Sequence, residues 1–469
     1  MGKPVVIVGG GISALLAALL VRQTDAKSPV FVVEQSAELG GLLGKIDGGP
    51  FGRFDLGMHT MTETGIPELD ELFWTLLPED EWYVFGGKLR DLSGAFYRGI
   101  LQTHTHYADL RSLGPDVYAK CLADFFMNLQ RPKVSDGGNI RDYARDRFGP
   151  VIATDVVEPI VRRTYRLPAE QTDMLAAKLL PLDRVGLFDE ATFKDLMGSP
   201  LLRERVAYPD QRNLDLEYSS GKGSYYPKNF GISRVIDAME EQAQGAGVTV
   251  LKQTNVLSVR RVAGRVEAIT LGTGSGKREI TGLGHLYWCT GLASIGKHLG
   301  AYRDTLVFDA PLTTAIVNFL FDKPPQMADL YYFYCFDSPH STYRVTNFSA
   351  YCPGAPRAGG FPLCVELLLE AGAPADTESC ALQARSELDA FGVLEEGTEA
   401  LFTSVKILER GFPLPSLTNM RSLGVIRSDI RSLELRNLTM LSVLSEPGLF
   451  FQTDVVADVF RKVMTRQHA

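Results

Sequence analysis

The residues best placed to do chemistry at the start of this chain are glycines and one acid. Gly9-Gly10-Gly11-Ile12-Ser13-Ala14 follows the apolar run Val5-Val6-Ile7-Val8, and a second apolar run, Val30-Phe31-Val32-Val33, ends at Glu34 and Gln35. Gly9 permits a tight turn, Gly11 lets the backbone approach a pyrophosphate, and Ala14 is small enough to hold a helix against a sheet. Ile12 and Ser13 open that helix, where unpaired N–H groups and the positive dipole end suit phosphate. Glu34, roughly twenty residues beyond the turn, can accept from ribose hydroxyls. Strand, turn, helix and acid in this order read as a dinucleotide site. A glycine turn in an ordinary α/β unit is the bland alternative.

Further along, Gly40-Gly41-Leu42-Leu43 gives a second glycine pass that can clamp an extended dinucleotide, and Phe54-Asp55-Leu56-Gly57-Met58-His59 reads as a strand ending at a glycine with a polar residue beyond. Arg162-Arg163-Thr164-Tyr165-Arg166 is a basic, aromatic cluster whose plain reading is a solvated helix end. His104-Thr105-His106 would place two imidazoles on one strand face, but only Asp109 stands near to complete a ligand set, so no metal site is expected. Arg344 sits in the strand-like run Thr342-Tyr343-Arg344-Val345-Thr346, near the aromatic stretch that holds Tyr332 and Tyr334.

The elements that must position these groups follow from periodicity. Crowded leucines and alanines over 12–25 predict a helix buried against a sheet. Residues 66–215 read as short helices, including 67–77, 115–129, 139–148 and 154–165. A helix from 232 to 245 and a strand at 248–251 then restore the α/β pattern, followed by Asn255-Val256-Leu257-Ser258-Val259. Leu286-Tyr287-Trp288-Cys289-Thr290-Gly291 is another strand ending in a small turn. Residues 301–404 are strand-rich. The chain continues through a helix at 376–391, a strand at 401–408, a strand at Leu438 to Val443 and a helix at 453–465.

The order Gly-x-Gly-x-x-Ala, acid, Gly-Gly, then Asp-x-Gly-x-His resembles the flavoproteins typified by protoporphyrinogen oxidase, amine oxidases and UDP-galactopyranose mutase. The resemblance implies FAD, a choice the dinucleotide fingerprint alone leaves open. It also implies that Gly40 and Gly41 contact the pyrophosphate, that Gly57-Met58-His59 passes near the isoalloxazine ring, and that Val256 meets the adenine through its backbone. Thr290, Gly291, Ser442 and Phe451 complete the implied cofactor set. The run from Tyr343 to Pro353 is similar to a segment of eukaryotic-type UDP-galactopyranose mutases whose arginine meets the substrate diphosphate, which makes Arg344 the leading substrate-binding residue. Arg162 and Arg163 correspond to an arginine-bearing helix that reaches the active site of sugar-nucleotide members, and Tyr332 and Tyr334 would wall the pocket. In place of the glycine and arginine usual on the closing strand of the mutases, Ser442-Val443 stand here.

The fold expected is therefore α/β (α+β overall), with a Rossmann-like FAD-binding domain from residues 1–90, 218–300 and 405–469. Interleaved with it are a helical substrate domain at 91–217 and an antiparallel substrate-domain sheet at 301–404. The activity implied is oxidation of a small-molecule, anionic substrate by hydride transfer to the flavin, with His59 and Arg344 as the catalytic pair. The alternative is a non-redox sugar-nucleotide mutase.

Bulk properties agree. A length of 469 residues calls for two or more domains, and 45% hydrophobic with 22% charged residues is ordinary globular composition. A net charge of −8 argues against a nucleic-acid partner. Six scattered cysteines with no CxxC pair point to reduced thiols, and no apolar run spans a bilayer, so a cytoplasmic protein with no membrane docking is expected. The oligomeric state is not legible.

Overall fold

The computed structural model describes residues 2–85, 91–131, 138–196, 198–214, 222–274, 276–372, 375–412 and 414–465, with Arg410 described by its backbone only. Two expected domain divisions, at 90 and 217, lie outside the described residues. At the centre of one half is a five-stranded, fully parallel sheet. Its order is Val248–Leu251, Val30–Val33, Val5–Val8, His285–Trp288 and Leu438–Met440. Val5–Val8 is buried along its whole length, as a middle strand covered on both faces must be. The helix Ile12–Thr24 is buried from Ala14 to Val21 because helices Ser233–Gly245 and Gln452–Thr465 pack on it. A three-stranded antiparallel sheet, Asn255–Val262, Arg265–Thr273 and Gly276–Thr281, lies alongside.

The other half is built on a seven-stranded sheet. Its order is Ala400–Phe412, Leu312–Phe321, Phe361–Leu369, Thr342–Asn347, Tyr332–Cys335, Ser93–Tyr97 and Ile100–Gln102. All pairs are antiparallel except Tyr332–Cys335 with Ser93–Tyr97. This sheet is larger than the sequence reading allowed. Ala400–Phe412 runs across the division drawn at 404. Ser93–Tyr97 and Ile100–Gln102 come from the stretch read as helical. The two-residue turn joining them, Arg98 and Gly99, has φ of +57° and +75°, the geometry that matches the twist of a tight hairpin. Asp337 fixes it by accepting from both amides, at 2.9 and 2.7 Å.

Strand alternation gives this sheet two dry faces. Phe96, Phe333, Cys335, Val345 and Val365 pack against the helix Thr377–Ala390. Ala95, Tyr97, Tyr334, Tyr343 and Leu368 face the helical segment, including Phe125, Ile152 and Val161. The expected strand pair of histidines does not form, because the strand ends at Gln102. His104 Nε2 instead meets Asp109 at 2.8 Å, and His106 Nδ1 meets Ser93 Oγ at 2.7 Å. No helix among the described residues is long and apolar enough to cross a membrane.

Candidate active site

Four strands of the parallel sheet deliver candidate residues at the same edge. Gly9 follows Val8, Glu34 follows Val33, Thr290 and Gly291 come just after Trp288, and Ser442 lies just beyond Met440. Ligands of open parallel sheets bind outside these strand ends. Gly9 has φ +117°, and a Cβ there would stand 3.3 Å from the Thr290 methyl. Gly40 has φ +121°, and its amide donates to the Gly10 carbonyl at 2.8 Å. Between the two glycine loops a Cβ on Gly11 would meet only the Gly40 carbonyl, at 3.9 Å, so open space begins where a side chain would otherwise be. Gly11 brings no side-chain cap to the helix Ile12–Thr24, and the amides of Ile12 and Ser13 have no intrahelical acceptor. This cradle fits a pyrophosphate.

Glu34 ties two neighbouring segments together. The Ser36 amide donates to Glu34 Oε1 at 2.8 Å, and the Thr254 amide donates to the Glu34 carbonyl at 2.8 Å. That bond brings the start of strand Asn255–Val262, with Val256, beside the acid. Gln35 and Gly41 are exposed, while Leu42 and Phe451 leave apolar surface uncovered at 58% and 42%. Ser442 is 5% exposed, yet its Oγ has no hydrogen-bond partner among the described residues, and neither has the buried Nδ1 of His59. A cofactor with donor or acceptor atoms at this edge could satisfy both.

Gly57-Met58-His59 connects this crevice to the seven-stranded sheet. Gly57 has φ +86°, and a Cβ there would lie 3.0 Å from the Glu366 carboxylate. Glu366 accepts from Arg344 Nε at 2.6 Å, and Arg344 Nη2 donates to the Met58 carbonyl at 3.4 Å. The Arg344 guanidinium stands 5.8 Å from the Tyr332 ring and 5.9 Å from the Tyr343 ring, and Tyr334 is its cross-strand partner. The Tyr332 hydroxyl donates to Asp91 Oδ2 at 3.1 Å. Burial pushes the Asp91 carboxyl up to about 6, although the residue keeps solvent-accessible surface. One segment earlier, buried Asp55 accepts from the Tyr226 hydroxyl at 2.6 Å and from the Ile232 amide, tying this strand to the start of helix Ser233–Gly245.

Several expected roles change. Arg163 is 5% exposed, and its guanidinium donates to the carbonyls of Asp337, His340 and Thr342, so it holds a loop and offers nothing to a substrate. Arg162 is exposed, as the plain helix-end reading had it. Arg344 does reach the site, but paired with Glu366 it brings no net charge. Leu43 is buried in the core, so only its backbone can meet a cofactor. Burial, with Arg344 nearby, pulls His59 down to about 4, so it is neutral at pH 7 and holds no spare proton to relay. Gly10, Asp91 and Glu366 were missed. Gly10 is needed because a Cβ would come within 2.8 Å of Glu34 and Leu39. A third consecutive glycine and a lone acid in the apolar strand Phe361–Leu369 were the available signals.

Residues 7–75 match the NAD(P)-binding Rossmann-like domain family. Coproporphyrinogen III oxidase of Staphylococcus aureus (strain NCTC 8325 / PS 47) is 23% identical over 270 residues, 55% of this chain and 54% of that protein, so the match spans about half of each. Over the whole chain, reduced UDP-galactopyranose mutase superposes with a TM-score of 0.77 at 15% identity, covering 96% of that chain. A protein assigned as a protoporphyrinogen oxidase from Exiguobacterium sp. 255-15 superposes at 0.70 with 16% identity, covering all of this chain and 99% of that one. The chain thus has the fold of reduced UDP-galactopyranose mutase and of the protein assigned as a protoporphyrinogen oxidase.

Proposed function

We propose that this chain is an FAD-dependent oxidoreductase that takes hydride from a small-molecule substrate. The observation that carries the reading is the link, through Gly57-Met58-His59, between the strand ends that carry the glycine loops and the Arg344–Glu366 pair beside Tyr332 and Asp91. Gly9, Gly11, Ile12, Ser13, Gly40 and Gly41 would hold the pyrophosphate, Glu34 the ribose, and Val256 the adenine end. His59 and Ser442 would offer their unpartnered atoms to the ring end. When bound, FAD supplies the two-electron acceptor that no side chain can provide.

The chain's own part is to orient the substrate and manage its proton. The tyrosines would shield the reacting face, and the Arg344–Glu366 pair fixes the Met58 carbonyl and hence the loop that carries His59. Asp91, oriented by Tyr332, is placed to accept a substrate proton. The mutase reading needs a free cation for a diphosphate. Glu366 neutralises Arg344, Arg163 is spent on carbonyls, and Val443 is uncharged, all of which weigh against it.

Purified protein is expected to be yellow, with a flavin absorbance band; colourless protein that takes up no added FAD would overturn the reading. With a reducing substrate, the rate of flavin bleaching under anaerobic conditions should rise with pH through about 6, where the Asp91 carboxyl loses its proton. Asp91→Asn should flatten that limb and slow bleaching about a hundredfold or more. An unchanged profile in Asp91→Asn would remove Asp91 from the chemistry.

A further inference from the structure

Three arginines converge in the helical part, away from the residues assigned above. Arg147 donates through Nε to the Asp183 carbonyl at 2.6 Å and through Nη2 to the Glu204 carbonyl. Arg184 donates to the Arg203 carbonyl at 3.3 Å and to the Tyr107 hydroxyl at 3.2 Å. Arg205 lies between them in the chain pairing, since the Val185 amide donates to its carbonyl at 3.2 Å. The carbonyls of 203–205 thus draw Arg147, Arg184 and the Val185 amide together, and the Arg147 guanidinium sits 5.8 Å from the Tyr143 ring.

Arg205 is the anomaly. It is only 6% exposed, and its Nη1 is buried with no hydrogen-bond partner among the described residues. Carbonyls and a phenol satisfy donors but cancel no charge. The carboxylates nearby are those of Asp183, 3.7 Å from Arg184 and partly exposed, and Glu204, which is exposed. A buried guanidinium next to another, with a donor left over, is unfavourable unless an anion sits between them. Bidentate donors of this kind match a carboxylate or a phosphate.

We propose that Arg147, Arg184 and Arg205, with Tyr107 and Tyr143, form a binding site for a small oxyanion, a phosphate or carboxylate group. The site is joined to the catalytic sheet. The His106 ring lies against Tyr107, with centroids 4.2 Å apart and planes tilted by 36°, and meets Ser93 at 2.7 Å, and Ser93 is the cross-strand neighbour of Tyr332. Two sources share this chemistry: an acidic tail of the substrate, or a separate anionic effector.

The test uses the full-length protein, saturated with FAD, and inorganic phosphate as probe against sodium chloride of equal ionic strength. Saturating phosphate should raise the melting temperature by about 3 °C. Arg205→Met should lose that increment and melt no lower than wild type without phosphate, because an uncompensated buried charge has gone. Should Arg205→Met fail to fold, the partly exposed Arg184→Gln should weaken phosphate binding roughly tenfold, as loss of one charged contact does. Phosphate no better than chloride, or equal stabilisation of wild type and both variants, would overturn the site. A shift of the flavin band on phosphate binding would assign it to the substrate side, and an unchanged band with the same stabilisation would assign it to an effector. Protein that takes up no FAD but is still stabilised by phosphate would keep this site while sinking the proposed oxidoreductase.

Discussion

Gly40→Ala is expected to give protein that purifies with less than about a tenth of the wild-type flavin. At φ +121° an L side chain is strained by about 1–3 kcal/mol. The added Cβ would also lie 2.9 Å from the backbone N and Cα of Gly44, atoms that cannot rotate aside. The loop must therefore move, and with it the amide that bonds the Gly10 carbonyl and the backbone that faces Gly11. Gly49→Ala is the control. Its φ is +57° with nothing within 4 Å, so it carries conformational strain without collision and should keep its flavin. The absorbance ratio of flavin to protein after gel filtration checks both. Equal ratios in Gly40→Ala and wild type would show that the second glycine loop does not clamp the cofactor.

The cofactor half of the molecule was legible because its signals are local. A tight turn, a close backbone approach and a helix start each demand particular residues within a few positions. Gly9, Gly11 and Ala14 meet those demands, and three of the parallel strands, Val5–Val8, Val30–Val33 and Val248–Leu251, read as short β-branched runs. The substrate half depends on pairings across long stretches of chain. Nothing around Ser93 says that it lies beside Tyr332, so the strand Ser93–Tyr97 was hidden in a stretch dominated by helical spacing. Charge was misread for the same reason. Arg163 and Arg344 look alike as sequence, but their meaning depends on the carbonyls of 337–342 and on Glu366, which only the folded sheet brings near.

Glu366→Ala should lower stability by about 3–5 kcal/mol, more than the double variant that also carries Arg344→Ala. Both partners are largely enclosed, with side-chain exposures of 17% for Arg344 and 10% for Glu366. Removing one leaves an uncompensated buried charge, whereas removing both leaves an uncharged void. The double variant should therefore be closer to wild type than either single one. Urea midpoints for the four proteins make the cycle. Additive losses would mean that the pair is screened by solvent and does not lock the Met58 carbonyl. Should the pair hold as expected, Glu366→Ala should also release flavin faster, since Gly57 rests against that carboxylate.

The parallel sheet draws its five strands from positions as far apart as Val5 and Met440. Its outermost strand, Leu438–Met440, carries the chain to Ser442, and the helix Gln452–Thr465 covers the first helix from the far side. During synthesis, then, the glycine turn emerges hundreds of residues before the strand and helix that finish its surroundings. Closing contacts of such separation is slow, and the early apolar strands stay unshielded in the meantime. The crevice at the strand ends is therefore complete only once Leu438–Met440 and Gln452–Thr465 have docked.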